Sequence, residues 1–515
     1  MLKQSLTLVI SLIPGAVAAD PSFTPVPMPD HAYTGGWEHF VGGGMAVFDC
    51  NGDQFPDIYV AGGTSKAELM VNTTASRGAP ISFTADTPNA LALDHVSGAY
   101  PLDIDGDGIL DLAILRVGEN MLMKGEGNCA FSPFPASLGF SSGDRWTTSF
   151  SATWEDGQSL PSFVFGNYVD RSNPDGPFFA CDTNYLYRPE NSAYSSPIGL
   201  NPGFCALSSL FTDWNRTGHA DLRVSNDRQY YVKGGEEQLW AMENTPRLYT
   251  HDEGWKPYSL WGMGIASRDV NGDGLPDVFL STMADQRLQL REGDGPTYVD
   301  APYSMGTTAQ RPSFGDDGRP STGWTVAFGD VNLDGRDDVF IAKGNVEQMP
   351  SNAMEDPNTL LMQSEDGTFH EMGLEAGVAS LARSRGAALA DLNLDGRLDL
   401  AVVNRKVAME VYQNATLMQG HWLEVQLAQP GPDGNAVGAW IDMKVGDRMV
   451  SREITVGGAH ATGVALPEHF GLGATDHVSL RVTWPDGQVS DWVETGVDQI
   501  LRASRDSSSI SLEKL

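Results

Sequence analysis

Along most of the chain, short runs of apolar and small residues alternate with turn-forming stretches rich in Gly, Asp, Asn and Pro, and helical periodicity is nearly absent. This pattern predicts short β-strands. It also repeats at longer range. Before each of seven turn segments stands a run of small and β-prone residues: GMAVF, GAYPL, SFSAT, LSSLF, GIASR, TVAFG and GAALA. After each comes a more apolar run: DIYVAG, DLAILR, FVFGNY, DLRVSN, DVFLST, DVFIAK and DLAVVN. The small residues predict a first strand that crowds against its neighbours. A unit of short strands cannot bury both faces alone, whereas seven in a ring bury one another, so the expected fold is all-β, a seven-bladed β-propeller.

The turn segments carry the candidate chemistry. In DLNLDGRLD, Asp391, Asn393, Asp395 and Asp399 stand at positions 1, 3, 5 and 9, with Gly396 at position 6 where the backbone must curl tightly. The same spacing places Asp49, Asn51, Asp53 and Asp57, with Gln54 at the turn position and Gly52 two places earlier. It recurs at Asp103, Asp105, Asp107 and Asp111, at Asp269, Asn271, Asp273 and Asp277, and at Asp330, Asn332, Asp334 and Asp338. Hard oxygen ligands without sulfur or imidazole suit Ca²⁺, so about five structural calcium sites are expected. The starts at 49, 103, 269, 330 and 391 leave one gap close to three repeat lengths, which predicts two degenerate copies. One keeps Asp213, Asn215, Gly218 and Asp221 but has Thr217 at position 5, and is expected to bind a cation weakly or not at all. The other has Trp154, Gln158 and Ser162 in place of the acids and is expected not to bind.

The pattern DxNxDGxxD followed by an apolar strand resembles the FG-GAP/VCBS repeats of the integrin α-subunit propeller and its bacterial relatives. The resemblance implies Ca²⁺ held by the side chains at positions 1, 3, 5 and 9 and by a backbone carbonyl at 7. From His421 the composition changes to alternating strands separated by Gly- and Asp-rich turns. There GNAVGAWIDMKVGDRMVSREITVGG, HFGLG and VTWPDGQV resemble the ASPIC/UnbV domain, which follows such repeats in the cartilage acidic protein family. A bacterial member is implied. The expected division is a signal peptide at 1–19, an extended segment at 20–40, the propeller at 41–418, a small β-sandwich-like domain at 419–503 and a tail at 504–515.

Composition narrows the function. The 67 acidic and 33 basic residues give a net charge of −34, which disfavours nucleic acid. Lys3, the apolar run Leu6 to Ile13, Pro14-Gly15 and the small residues after them read as a signal peptide cleaved after Ala18 or Ala19, hence a secreted or periplasmic protein. No other stretch is long enough to cross a bilayer. An oxidising compartment favours the pairs Cys181–Cys205 and Cys50–Cys129, two free buried thiols being the alternative for the second pair.

HExxH, GxSxG, P-loop and CxxC patterns are all missing, and His460, His469 and His477 read as surface or packing residues rather than a zinc site. The fixed spacing of the carboxylates accounts for them as cation ligands rather than as acid/base pairs. Insertions at 171–205 and 300–322 are either surface connections or partner sites. The expected function is a monomeric extracellular or periplasmic binding or adhesion module whose ligand is a protein or a glycan. The alternative is a secreted enzyme acting on polysaccharide or another polymer, with a pocket at the propeller axis or the domain junction.

Overall fold

The computed structural model describes residues 19–175, 179–227, 234–315 and 318–515. The segment read as a signal peptide, Ala19 apart, lies outside the described residues.

Each repeat folds as a set of antiparallel strands, and the second and third sets join edge to edge where Arg145 and Trp146 pair with Gly118 and Val117. The first strand runs into the acidic loop, and position 9 of the loop opens the second strand: Phe48 pairs with Asp57 in the first sheet, Ala390 with Asp399 in the last. Sheet 1 holds Met45–Phe48, Asp57–Val60, Glu68–Asn72 and Phe83–Ala85. Sheet 2 holds Val96–Leu102, Asp111–Gly118, Met121–Gly125 and Phe131–Pro133. Sheet 3 holds Arg145–Thr153, Ser162–Asn167, Asn184–Tyr187 and Ile198–Leu200, and sheet 4 Ala206–Thr212, Asp221–Asn226, Gln238–Ala241 and Arg247–Leu248. Sheet 5 holds Gly262–Arg268, Asp277–Thr282, Arg287–Glu292 and Thr297–Asp300. Sheet 6 holds Gly323–Gly329, Asp338–Lys343, Thr359–Gln363 and Phe369–Glu371. Sheet 7 holds Ser384–Ala390, Asp399–Asn404 and Glu410–Asn414. The first strand of each sheet packs against that of the next, and that of sheet 7 returns to that of sheet 1. The arrangement is propeller-like.

The fourth strand of sheet 7 is Phe23–Val26, paired antiparallel with Glu410–Asn414. Residues 20–40, expected as a separate extended segment, therefore tie the chain's start to its last repeat. The supposed insertion at 171–205 likewise supplies the two outer strands of sheet 3. Its Tyr, Pro and Asn content had hidden their alternation. Both disulfides join neighbouring sheets: Cys50 in the first loop to Cys129 beside sheet 2, and Cys181 in the sheet 3 connection to Cys205 at the start of sheet 4.

The carboxyl-terminal part is a sandwich of two sheets. One is ordered Glu468–Gly473, His421–Ala428, Gln499–Asp506, Ser509–Lys514, and the other Arg448–Glu453, Trp440–Val445, His477–Thr483, Val493–Gly496. The strand Ser509–Lys514 lies within the segment expected as a tail. Leu423, Val425, Leu427, Ile441, Met443 and Leu480 form part of its core.

The two parts interlock. Between Glu453 and Glu468 the chain leaves the sandwich and runs among the first strands of the propeller. Val456 bridges to Ala152, Gly457 to Leu210, Ala459 to Ile265 and Thr462 to Ala99, and Gly463–Ala465 pairs in parallel with Ala46–Phe48. A Cβ on Gly44 would stand 1.7 Å from the Ala461 carbonyl oxygen, and one on Gly98 2.1 Å from it. The small residues of the first strands thus make room for this segment as well as for one another.

Candidate functional site

In all five acidic loops the backbone turns twice through the left-handed region, at positions 4 and 6: Gly52 and Gln54, Gly106 and Gly108, Gly272 and Gly274, Leu333 and Gly335, Leu394 and Gly396 all have φ between 57° and 87°. Gln54 takes the same conformation as the glycines elsewhere, with φ 75°, so the loop form survives the substitution. The 213–221 copy does likewise through Arg216 and Gly218.

These turns aim backbone N–H groups at the position-1 carboxylate. Asp391 accepts from the amides of Asp395 and Gly396, and Asp269 from those of Gly272, Asp273 and Gly274. The position-9 carboxylate accepts from position 2 and from the third strand: Asp399 from Leu392 and Asn414, Asp57 from Cys50 and Asn72, Asp277 from Val270 and Arg291. Burial raises Asp57, Asp111 and Asp277 to about 7 and Asp338 and Asp399 well above the carboxylate range, with the other loop carboxylates adding to the effect. Buried acids that receive amides but no positive charge are costly to ionise alone.

Among the described residues, the second loop alone brings three carboxylates together, the oxygens of Asp103, Asp105 and Asp111 lying within 4.8 Å of one another. The Lys124 ammonium lies against Asp105 and Asp107 there. In the 330 and 391 loops Arg336 and Arg397 lie against the position-5 acids Asp334 and Asp395. Position-3 amides reach the same acids, Asn51 to Asp53 at 3.0 Å and Asn271 to Asp273 at 3.1 Å. Asn393 Oδ1 is buried without a hydrogen-bond partner, an open oxygen at a position expected to donate to a cation. The donor set fits a hard cation: carboxylate and amide oxygens, one of them orphaned. In the 213–221 copy the position-9 acid Asp221 instead takes hydrogen bonds from Trp214 Nε1 and the Tyr249 hydroxyl, which spend its lone pairs on protein.

The sandwich sits on these loops. Trp422 packs with Leu333 and Leu394, the position-4 residues of the last two loops. A Cβ on Gly396 would fall 2.0 Å from the Trp422 ring. His469 Nε2 lies 2.9 Å from the Gly396 carbonyl, Arg448 donates to the Gly335 carbonyl at 2.7 Å, and Arg452 pairs with Asp337 at 2.6 Å. Glu453 accepts from Thr212 Oγ1 and the Asp213 amide, and Arg216 pairs with Asp442 at 2.9 Å. Sequence reasoning assigned none of these residues to docking. The signal was Trp422 and Glu424 on the strand face opposite Leu423, Val425 and Leu427, a face that would otherwise meet water.

At the axis His460 is buried between the sheets. Its Nε2 accepts the Gly42 amide at 2.9 Å, so the ring proton is on Nδ1, which donates to the Leu207 carbonyl at 3.2 Å. Burial, with Arg385 nearby, lowers its pKa to about 3 and keeps it neutral.

Sheets, loops and capping sandwich define a β-propeller-like repeat protein with a docked carboxyl-terminal β-domain. The family comparison agrees: the FG-GAP-like repeat model matches residues 49–114, 269–341 and 330–402, and the ASPIC and UnbV model residues 429–510. The chain is an all-β protein of FG-GAP-like repeats with an ASPIC/UnbV domain. It is similar to Cartilage acidic protein 1 of Mus musculus, 22% identical over 87% of this chain and 71% of that protein. It also matches Phosphatidylinositol-glycan-specific phospholipase D of Mus musculus, 27% identical over 29% of this chain and only 20% of that protein. Among solved structures, a lectin of Agrocybe aegerita covers 64% of this chain and 79% of its own, at 16% identity and a TM-score of 0.37. No helix among the described residues is long and apolar enough to cross a membrane.

Proposed function

We propose that this chain is an exported, calcium-stabilised binding or adhesion module, in which Ca²⁺ held by the acidic loops fixes a rigid platform for a protein or glycan partner outside the cytoplasm. The observation that carries the reading is the convergence of Asp103, Asp105 and Asp111 within 4.8 Å, in a loop whose backbone form recurs in four other acidic copies. Each loop would hold its ion through the acids at positions 1, 5 and 9 and the oxygen at position 3, supplying the charge the buried carboxylates lack. Similarity to Cartilage acidic protein 1 supports the extracellular setting.

An enzyme working on a polymer at the propeller axis is disfavoured, because residues 456–465 occupy that space. The test is thermal unfolding in excess EGTA and after calcium is restored. At free Ca²⁺ tenfold above Kd each site contributes about 1.4 kcal/mol, so a marked fall in Tm on chelation and its recovery are expected. An unmoved Tm refutes calcium stabilisation. A pull-down from the native extracellular milieu, with and without Ca²⁺, then tests whether recognition depends on the ion.

A further inference from the structure

A cavity of about 780 Å³ lies where the loop face of the propeller meets the sandwich. Its volume falls in the range of small-molecule sites, about 300–1,000 Å³. Phe328, Leu389 and Leu398 of the propeller and Leu466 and Ile500 of the carboxyl-terminal domain give it apolar walls. Most of the charge around it is already matched. Glu468 faces Arg268 at 3.5 Å, and Asp49, Asp103 and Asp391 belong to the cation loops; Arg502, exposed to solvent, donates to the neutral Gln426 Oε1 at 3.4 Å.

Glu424 is the exception. It lines the same cavity, is only 5% exposed, and has no hydrogen bond or ion pair among the described residues. Its place is fixed from both sides along the strand: Leu423 and Val425 are locked in the sandwich core, and Trp422 is seated against Gly396. A carboxyl group held in position without a partner is expensive to ionise unless something positive meets it. A hydrated metal ion would gain nothing from the apolar walls.

We propose that this junction cavity binds a small organic cation, an ammonium group paired with Glu424 and an apolar body against the Phe328, Leu389 and Leu398 wall. The ligand bridges the two parts of the chain, because its charge is met from the sandwich and its body largely from the propeller. Glu424 stands outside the loop motif, but the loop acid Asp391 lines the same cavity and opposes its charge, so binding is measured with the loops saturated with Ca²⁺.

The test is isothermal titration calorimetry of phenethylamine into the full mature chain in saturating Ca²⁺, with phenethyl alcohol as the uncharged counterpart. The amine is expected to bind at one site, with the alcohol about tenfold weaker or worse. Glu424→Gln is expected to lower amine affinity by a similar factor while leaving the response of Tm to EGTA intact. Equal binding of amine and alcohol, loss of neither in Glu424→Gln, or no amine binding at millimolar concentration overturns the proposal. The amine and alcohol comparison uses the unaltered protein, so it decides even if the variant folds poorly. Repeating it in EGTA separates this site from the loops: failure of calcium binding with amine binding retained would sink only the earlier reading.

Discussion

The Gly42 amide donates to Nε2 of His460 at 2.9 Å, across 418 positions of sequence. This bond joins the connection into sheet 1 to the segment that the carboxyl-terminal domain sends among the first strands. Replacing His460 with Ala leaves the Gly42 N–H and the Leu207 carbonyl without partners in a buried site. An unpaired buried group costs about 1–3 kcal/mol, so a loss of several kcal/mol is expected by denaturant unfolding. Because burial lowers the folded-state pKa from 6.5 to about 3, the unfolded chain takes up a proton that the native imidazole refuses, so the wild type's advantage over the variant should be full above pH 6.5 and shrink as pH falls toward 5.

Asp399→Asn removes a buried acid that receives the Leu392 and Asn414 amides and opens the second strand of sheet 7. If the loops hold calcium, titration of the chelated protein should count one ion fewer. The calcium-dependent part of stability should fall by about 1.4 kcal/mol at tenfold saturation. Asp221→Asn in the degenerate copy should leave the ion count unchanged, since Trp214 and Tyr249 already engage that carboxylate.

Two glycines at the same loop position separate backbone strain from docking. Gly108 has φ 86° and open space where a Cβ would go, so Gly108→Ala should cost about 1–2 kcal/mol, the left-handed penalty alone. Gly396 has φ 87° and the Trp422 ring 2.0 Å from the Cβ position. Gly396→Ala should cost distinctly more and loosen the sandwich, read as faster proteolysis between residues 414 and 421.

Glu237 predicts a pH dependence with a definite sign. It is buried; Oε1 accepts from Ser225 Oγ and the Asn226 amide, while Oε2 has no partner. Burial raises its pKa from 4.5 to about 7. The folded state therefore keeps a proton that the unfolded state has released between those values. Its contribution is intact below pH 4.5, declines as pH rises to about 7, and stays low above. Glu237→Gln keeps both accepted bonds and carries no charge. It should stabilise the protein at pH 8 by on the order of 3 kcal/mol and change little at pH 4.5, measured by urea unfolding at both values.

The strand alternation and the acidic spacing were legible in the sequence because both are local. The acidic loops curl, and the Gly at position 6 in four of the five copies records where. The Cys50–Cys129 and Cys181–Cys205 bonds also form as the compartment argument favoured. The outer strands of sheet 3 were missed because their sequence is turn-rich, and they are held by pairing with Ser162–Asn167 rather than by propensity.

By itself the sequence determined the repeating unit, the all-β class and the acidic make-up of the loops, since each depends on residues within one or two turns of one another. Only the tertiary structure decided that Phe23–Val26 completes the last sheet, that His460 lies among the first strands and that Glu424 faces a cavity rather than water. Those outcomes depend on which surfaces meet across hundreds of residues. Gly44 looks like any small strand residue until Ala461 stands against it, and Trp422 like an ordinary strand residue until Gly396 lies beneath it.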